Sequence, residues 1–163
     1  QALLSLNIPV SEQIFRKNDW GKPYLASHAV EFSLTHASYY AACALDASSV
    51  GVDLEAPRIT LAVAKRYFHP TELAFLESLP EPEQTDALLR LWTIKEAYTK
   101  QLGRGLHIPL DSFYADLHEN EANLYQDSRP IPVRLHEYPL NGLRLCLCSN
   151  SERPEITQFI PNL

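Results

Sequence analysis

The sequence predicts an α+β fold built on antiparallel sheet. Three observations lead there. Strand-like segments come first, helical segments follow and strands close the chain, an order that suits segregated helices and sheets rather than βαβ units. The helical block contains one long run, Glu83 to Leu102, with apolar residues at helical period. Two closing strands are joined by Asn141-Gly142, the pair that makes a tight two-residue hairpin.

Residues 2–6 are apolar, and residues 7–20 show no clear period. Trp20-Gly21-Lys22-Pro23 is a turn signal. Glu31–His36 reads as a strand, and Tyr39–Leu45 is a nearly continuous apolar run that fits a buried strand. Asp46–Ser49 is expected to make a hairpin-like turn into Val50–Glu55, where alternation is strict. Pro57 ends that strand. A short helix is predicted over Thr60–Phe68. A second starts at Pro70-Thr71-Glu72, with Thr71 or a preceding residue as its cap and Glu72 at its positive end, and runs to Leu79. Gly103 stops the long helix. Strands are then predicted over Phe113–Leu117, Val133–Tyr138 and Leu143–Cys148.

The long helix places charges where an ordinary core helix would not. At about 100° per residue, Leu88, Leu91, Trp92, Tyr98 and Leu102 share one face, with Lys95 in its middle. A buried ammonium requires a partner. Glu96 and Lys100, at i and i+4, stand within reach of each other along the edge of that face. Their ordinary reading is a surface ion pair, a weak interaction; Lys95 argues instead for one wall of an anion or metal site.

The 163 residues are 45% hydrophobic and 21% charged, enough for one sizeable core or two small lobes. A net charge of −6 argues against nucleic acid as a partner. No apolar run approaches the roughly 18 residues of a membrane span. Cys146 and Cys148 lie two apart in a strand and read as small core residues, which makes a reducing cytoplasm the expected compartment. The chain opens at Gln1 and contains no methionine, so it reads as part of a longer gene product.

Asp53 and Glu55 alternate on a strand, so both carboxylates leave one face while Val52 and Leu54 go to the core. Like charges side by side call for a cation, although a solvent-exposed acidic face would carry the same pattern. With Glu96 they form a three-carboxylate set, and hard oxygen donors in that number suit Mg²⁺. Lys22, Lys95, Lys100 and His36 supply positive donors for a polyanionic ligand. Taken singly, His36 reads as a structural histidine and Lys22 as a surface charge.

In series, Gly21-Lys22-Pro23-Tyr24, Phe32–His36, Gly51-Val52-Asp53-Leu54-Glu55, Trp92–Lys100, Gly103-Arg104-Gly105-Leu106, Pro109-Leu110 and Phe113 resemble the Sfp-type 4′-phosphopantetheinyl transferases. The resemblance covers roughly Trp20 to Phe113. Thr35 and Ala37 depart from it, flanking the histidine where serines are common. It implies transfer of 4′-phosphopantetheine from coenzyme A to a serine of an apo acyl or peptidyl carrier protein, with release of 3′,5′-ADP. It implies Asp53, Glu55 and Glu96 as magnesium ligands, and Lys95 and Lys100 near the pyrophosphate. Lys22 and His36 would contact coenzyme A phosphates. Glu96, Lys100 and His36 are the catalytic candidates, with Glu96 taking the serine proton directly or through water.

The resemblance also implies two similar, pseudo-symmetric lobes. Residues 1–50 would be the latter part of an incomplete first lobe, and residues 51–163 a second lobe carrying the metal site. A monomer is expected, with Lys65, Arg66 and Arg104 as candidate carrier contacts. Two other functions fit the same residues: a non-catalytic carrier-protein-binding domain, and a Mg²⁺-dependent phosphohydrolase.

Overall fold

A computed structural model describes residues 2–26, 30–119, 121–152 and 154. The chain runs through α1 (Ala2–Ser5), β1 (Phe15–Lys17), β2 (Pro23–Leu25), β3 (Glu31–Ala37), β4 (Tyr40–Asp46) and β5 (Gly51–Glu55). Three helices follow: α2 (Leu61–Tyr67), α3 (Pro70–Ser78) and α4 (Glu81–Leu102). It closes with β6 (Tyr114–Leu117), β7 (Ala122–Gln126), β8 (Arg129–Pro130), β9 (Arg134–Leu140) and β10 (Leu143–Ser149). Every strand pairing is antiparallel, as the α+β reading requires.

The core forms around α4, which buries residues on most of its circumference. One side lies on the sheet β5-β10-β9, where Cys146 and Cys148 of β10 join Leu91, Ile94 and Ala97 in the main apolar cluster. The other side takes Phe68, Leu76, Phe113, Ala115 and Leu124. Gly103 ends the helix in the left-handed region, φ 69°, and its amide donates to the carbonyls of Thr99 and Lys100. The Asn141-Gly142 hairpin joins β9 to β10 with both turn residues at positive φ, 49° and 80°.

Most elements lie where the sequence puts them, and three expectations are corrected. Asp46–Ser49 does not fold β4 back onto β5: β4 pairs with β3 and β5 with β10, so the chain crosses between sheets. Tyr40–Asp46 is a strand as expected, but an exposed or half-buried one. Leu102, at the last turn of α4, is 45% exposed rather than part of the apolar face. The cap of α3 is a residue before Thr71, as expected: His69, whose ring accepts from the Thr71 amide while Glu72 accepts from the His69 amide in return. The short strands β1, β2, β7 and β8 carry no alternation long enough to read in advance.

The β3–β4 hairpin reaches β5 through hydroxyl groups rather than a strand ladder. The amides of Val52 and Leu54 donate to Ser33 Oγ (3.0 Å) and Thr35 Oγ1 (3.1 Å). These bonds satisfy the free edge of β5.

Candidate active site

Gly51 decides how closely β5 lies on α4. A Cβ at this position would be driven into the Ala97 carbonyl and the Gln101 amide nitrogen, so only glycine permits the approach. The contact puts the Gly51, Asp53 and Glu55 face of β5 toward the helix. Val52 and Leu54 are buried on the other face.

Asp53 is 6% exposed. Its Oδ1 accepts from Lys100 Nζ (2.7 Å) and Thr35 Oγ1 (3.2 Å), while Oδ2 is buried without a hydrogen-bond partner among the described residues. Burial raises the Asp53 pKa, and the Lys100 ammonium opposes that rise. Glu55 is held by Arg58, with Nε 2.9 Å from Oε1 and Nη2 3.2 Å from Oε2, and Oε1 also accepts from the Ala56 amide. Glu96 is half-buried; its backbone carbonyl accepts from Thr99 Oγ1 (3.0 Å), and its carboxylate makes no hydrogen bond or ion pair among the described residues. Its pKa is raised by burial first and then by the nearby Asp53 carboxylate.

Lys100 therefore pairs with Asp53 and donates to Val52 O (3.1 Å), rather than forming the i,i+4 pair with Glu96. Lys100 is paired with Asp53, and Glu55 and Glu96 lie near that pair without closing into a three-carboxylate ligand set among the described residues. The other candidates do not join them.

Lys95 is fully buried, on the opposite side of α4. Its ammonium donates to Leu110 O (2.7 Å) and Phe113 O (2.8 Å) and pairs with Glu72 Oε2 at 2.9 Å, over the Phe113 ring. All three protons are used, so the expected pyrophosphate contact is corrected to an internal ion pair. Lys22 Nζ lies 3.1 Å from Val50 O and 3.4 Å from Gln101 O, at the carbonyl end of α4, with Glu31 at 3.9 Å. Burial lowers its pKa. In this structure Lys22 fastens the first hairpin to the helix instead of standing free for a phosphate.

His36 is exposed on β3. Strand alternation turns it away from Thr35, the residue that reaches Asp53, so it stands apart from the carboxylates and is corrected as a catalytic partner in that cluster. It lines a shallow hollow of about 350 Å³ with Leu34 and Cys43. A larger hollow, about 420 Å³ beside His69 and Tyr114, contains none of the predicted site residues.

A family model described as the 4′-phosphopantetheinyl transferase superfamily matches residues 49–148. The chain belongs to that superfamily. The match runs from the residues just before β5 into β10, so it takes in Asp53, Glu55, Glu96 and Lys100 but neither Lys22 nor His36. The chain is 34% identical over 146 residues to the 4′-phosphopantetheinyl transferase gsp of Aneurinibacillus migulanus, covering 88% of this chain and 61% of that protein. It is 32% identical over 139 residues to the 4′-phosphopantetheinyl transferase Sfp of Bacillus subtilis strain 168, covering 83% and 62%. The chain thus spans about three fifths of the length of these relatives. The crystal structure of Thermotoga maritima holo-[acyl-carrier-protein] synthase shares the fold, with a TM-score of 0.51 at 17% identity over 61% of each chain.

The superfamily implies a divalent cation, and the residues present fit one. Among the described residues, a buried Asp53 Oδ2 without a hydrogen-bond partner, near a half-buried Glu96 carboxylate that makes no hydrogen bond or ion pair, is an acceptor set in need of a positive charge. Among the described residues no three acidic, histidine or cysteine side chains converge as a complete ligand set. Arg58 accounts for part of this by occupying Glu55. Mg²⁺ takes one or two carboxylates and completes its shell with water and phosphate, so the open set suffices.

Three residues that shape the site were missed in the sequence. Gly51, Thr35 and Arg58 each act through a contact that no local pattern announces, as does Glu72 in the internal pair with Lys95 on the far side of α4. Only Arg58, three residues after Glu55, lies near enough in sequence to have been suspected.

Proposed function

We propose that this superfamily member transfers 4′-phosphopantetheine from coenzyme A to a serine of an apo acyl or peptidyl carrier protein, releasing 3′,5′-ADP. The observation that supports it most is the buried Asp53 oxygen that has no hydrogen-bond partner among the described residues, set beside Glu96 and Lys100 in the segment matched by the superfamily.

Asp53 and Glu96 are the residues that would hold Mg²⁺, with Glu55 joining them when its oxygens are released by Arg58. A bound Mg²⁺ would neutralise charge on phosphate oxygens and align the pyrophosphate for displacement. Lys100, 29% exposed at its side chain, adds a second positive charge on the solvent side of Asp53. Glu96 is assigned the role of taking the serine proton, directly or through a water; burial and the nearby Asp53 carboxylate raise its pKa. His36 is kept as a coenzyme A phosphate contact from β3, and Lys22 enters such a contact only by leaving the carbonyls of Val50 and Gln101. The division into a first-lobe segment, residues 1–50, and a second lobe from residue 51 is part of the same proposal.

No helix among the described residues is long and apolar enough to cross a membrane. The cytoplasm, where thiols such as those of Cys43, Cys146 and Cys148 stay reduced, is the proposed compartment, with the protein acting as a monomer.

The test mixes the protein with Mg²⁺, coenzyme A and an apo-carrier and follows 3′,5′-ADP. Release should require the carrier and cease with EDTA or with Asp53→Ala. Release without any carrier would favour a phosphohydrolase, and full activity of Asp53→Ala would remove Asp53 from the site.

A further inference from the structure

The three carboxylates are not equivalent in this structure. Among the described residues, Asp53 presents a buried oxygen with no hydrogen-bond partner, and the Glu96 carboxylate makes no hydrogen bond or ion pair. Glu55 has both oxygens engaged, by the Arg58 guanidinium across its full fork and by the Ala56 amide. Bidentate arginine pairing is the strongest form of this contact and competes directly with a cation for the same lone pairs. Arg58 itself is 73% exposed at its side chain, so it can swing into water at little cost.

From this asymmetry we infer that Arg58 is a competing internal cation that sets the divalent-metal affinity of the site. With Arg58 on Glu55, the ion is held by Asp53 and Glu96 alone. When Arg58 withdraws, Glu55 joins them and binding tightens. The placement follows from the chain: Pro57 ends β5, so Arg58, three residues past Glu55, turns back over the last carboxylate of the strand. Lys100 does not play this part, because its contact is with Asp53 Oδ1 and leaves Oδ2 open.

The inference rests on the metal reading above, and a double-mutant cycle separates the two. Mn²⁺ is titrated by electron paramagnetic resonance and calorimetry into wild type, Arg58→Gln, Glu55→Gln, the double variant and Asp53→Asn, with folding checked by circular dichroism. Arg58→Gln should bind Mn²⁺ roughly three- to tenfold more tightly, the scale of one partly exposed ion pair. Glu55→Gln alone should change affinity less than twofold, and in that background Arg58→Gln should lose most of its effect.

If Arg58→Gln tightens binding equally with and without Glu55, the arginine acts only through overall charge and the competition is wrong. If Glu55→Gln in the otherwise native protein weakens binding tenfold, Glu55 is a resting ligand and the inference is overturned. If wild type and Asp53→Asn bind Mn²⁺ alike, the metal reading itself fails, a result distinct from the other two.

Discussion

Lys95 and Glu96 are neighbours on one helix with opposite fates, and the difference is one of partners. Lys95 meets Glu72, whose two oxygens also accept from the amides of Ala115 and His69, so the buried pair has every strong bond it can make. Removing one member of such a pair strands the other charge. Lys95→Met is expected to lower unfolding stability by about 3–5 kcal/mol in urea titration. A loss below ~1 kcal/mol with a fall in coenzyme A affinity would return Lys95 to the phosphates.

Glu96 has the reverse problem. Its folded pKa is raised by burial and by Asp53, so the folded state holds the proton more tightly than the unfolded chain. The stability this gives is present below the unfolded value of about 4.3 and is lost as pH rises through the folded value. Glu96→Gln should therefore raise the melting temperature of the metal-free protein at neutral pH and leave it unchanged near pH 4. A variant less stable than wild type at neutral pH would show that Glu96 has a stabilising partner.

At the scale of elements, the contact that matters is β5 on α4. Gly51→Ala should cost about 1–3 kcal/mol by overpacking and weaken Mn²⁺ binding as Asp53 moves off the helix, both measurable on one preparation. An alanine variant with native stability and affinity would show that the strand can shift without harm. The strict alternation of Val50–Glu55, the helical period of α4 and Asn141-Gly142 were legible because each is a local pattern. Pairing partners were not. The polar turn after Asp46 looks like a hairpin, and nothing local says that β10, some ninety residues on, takes the place beside β5. Glu72 was legible as a helix-start residue and not as the partner of Lys95, because that contact spans two helices.

Across the whole molecule, the first fifty residues are fastened to the end of α4 that carries Lys100. Asn18 Nδ2 donates to Gly103 O (2.8 Å), Lys22 reaches Val50 and Gln101, and Trp20 packs on His107 at 4.7 Å. Thr35 then carries β3 to Asp53. The candidate site is thus made by both parts of the chain, although its carboxylates all come from residues 51–100. The charged motifs of this site could be read in sequence. Which of their charges are already spent on the protein itself could not, because Arg58, Thr35 and the carbonyls of Val50, Val52 and Gln101 meet them only in the folded chain.

The claim that most needs testing is that this chain uses the cluster to move a phosphopantetheine arm. The direct measurement is the intact mass of an apo-carrier protein after incubation with the protein, coenzyme A and Mg²⁺. A carrier heavier by one 4′-phosphopantetheine, carried on its serine and absent with Asp53→Ala, is the predicted result. A carrier of unchanged mass, with the protein shown to be folded and to bind Mn²⁺, would contradict it.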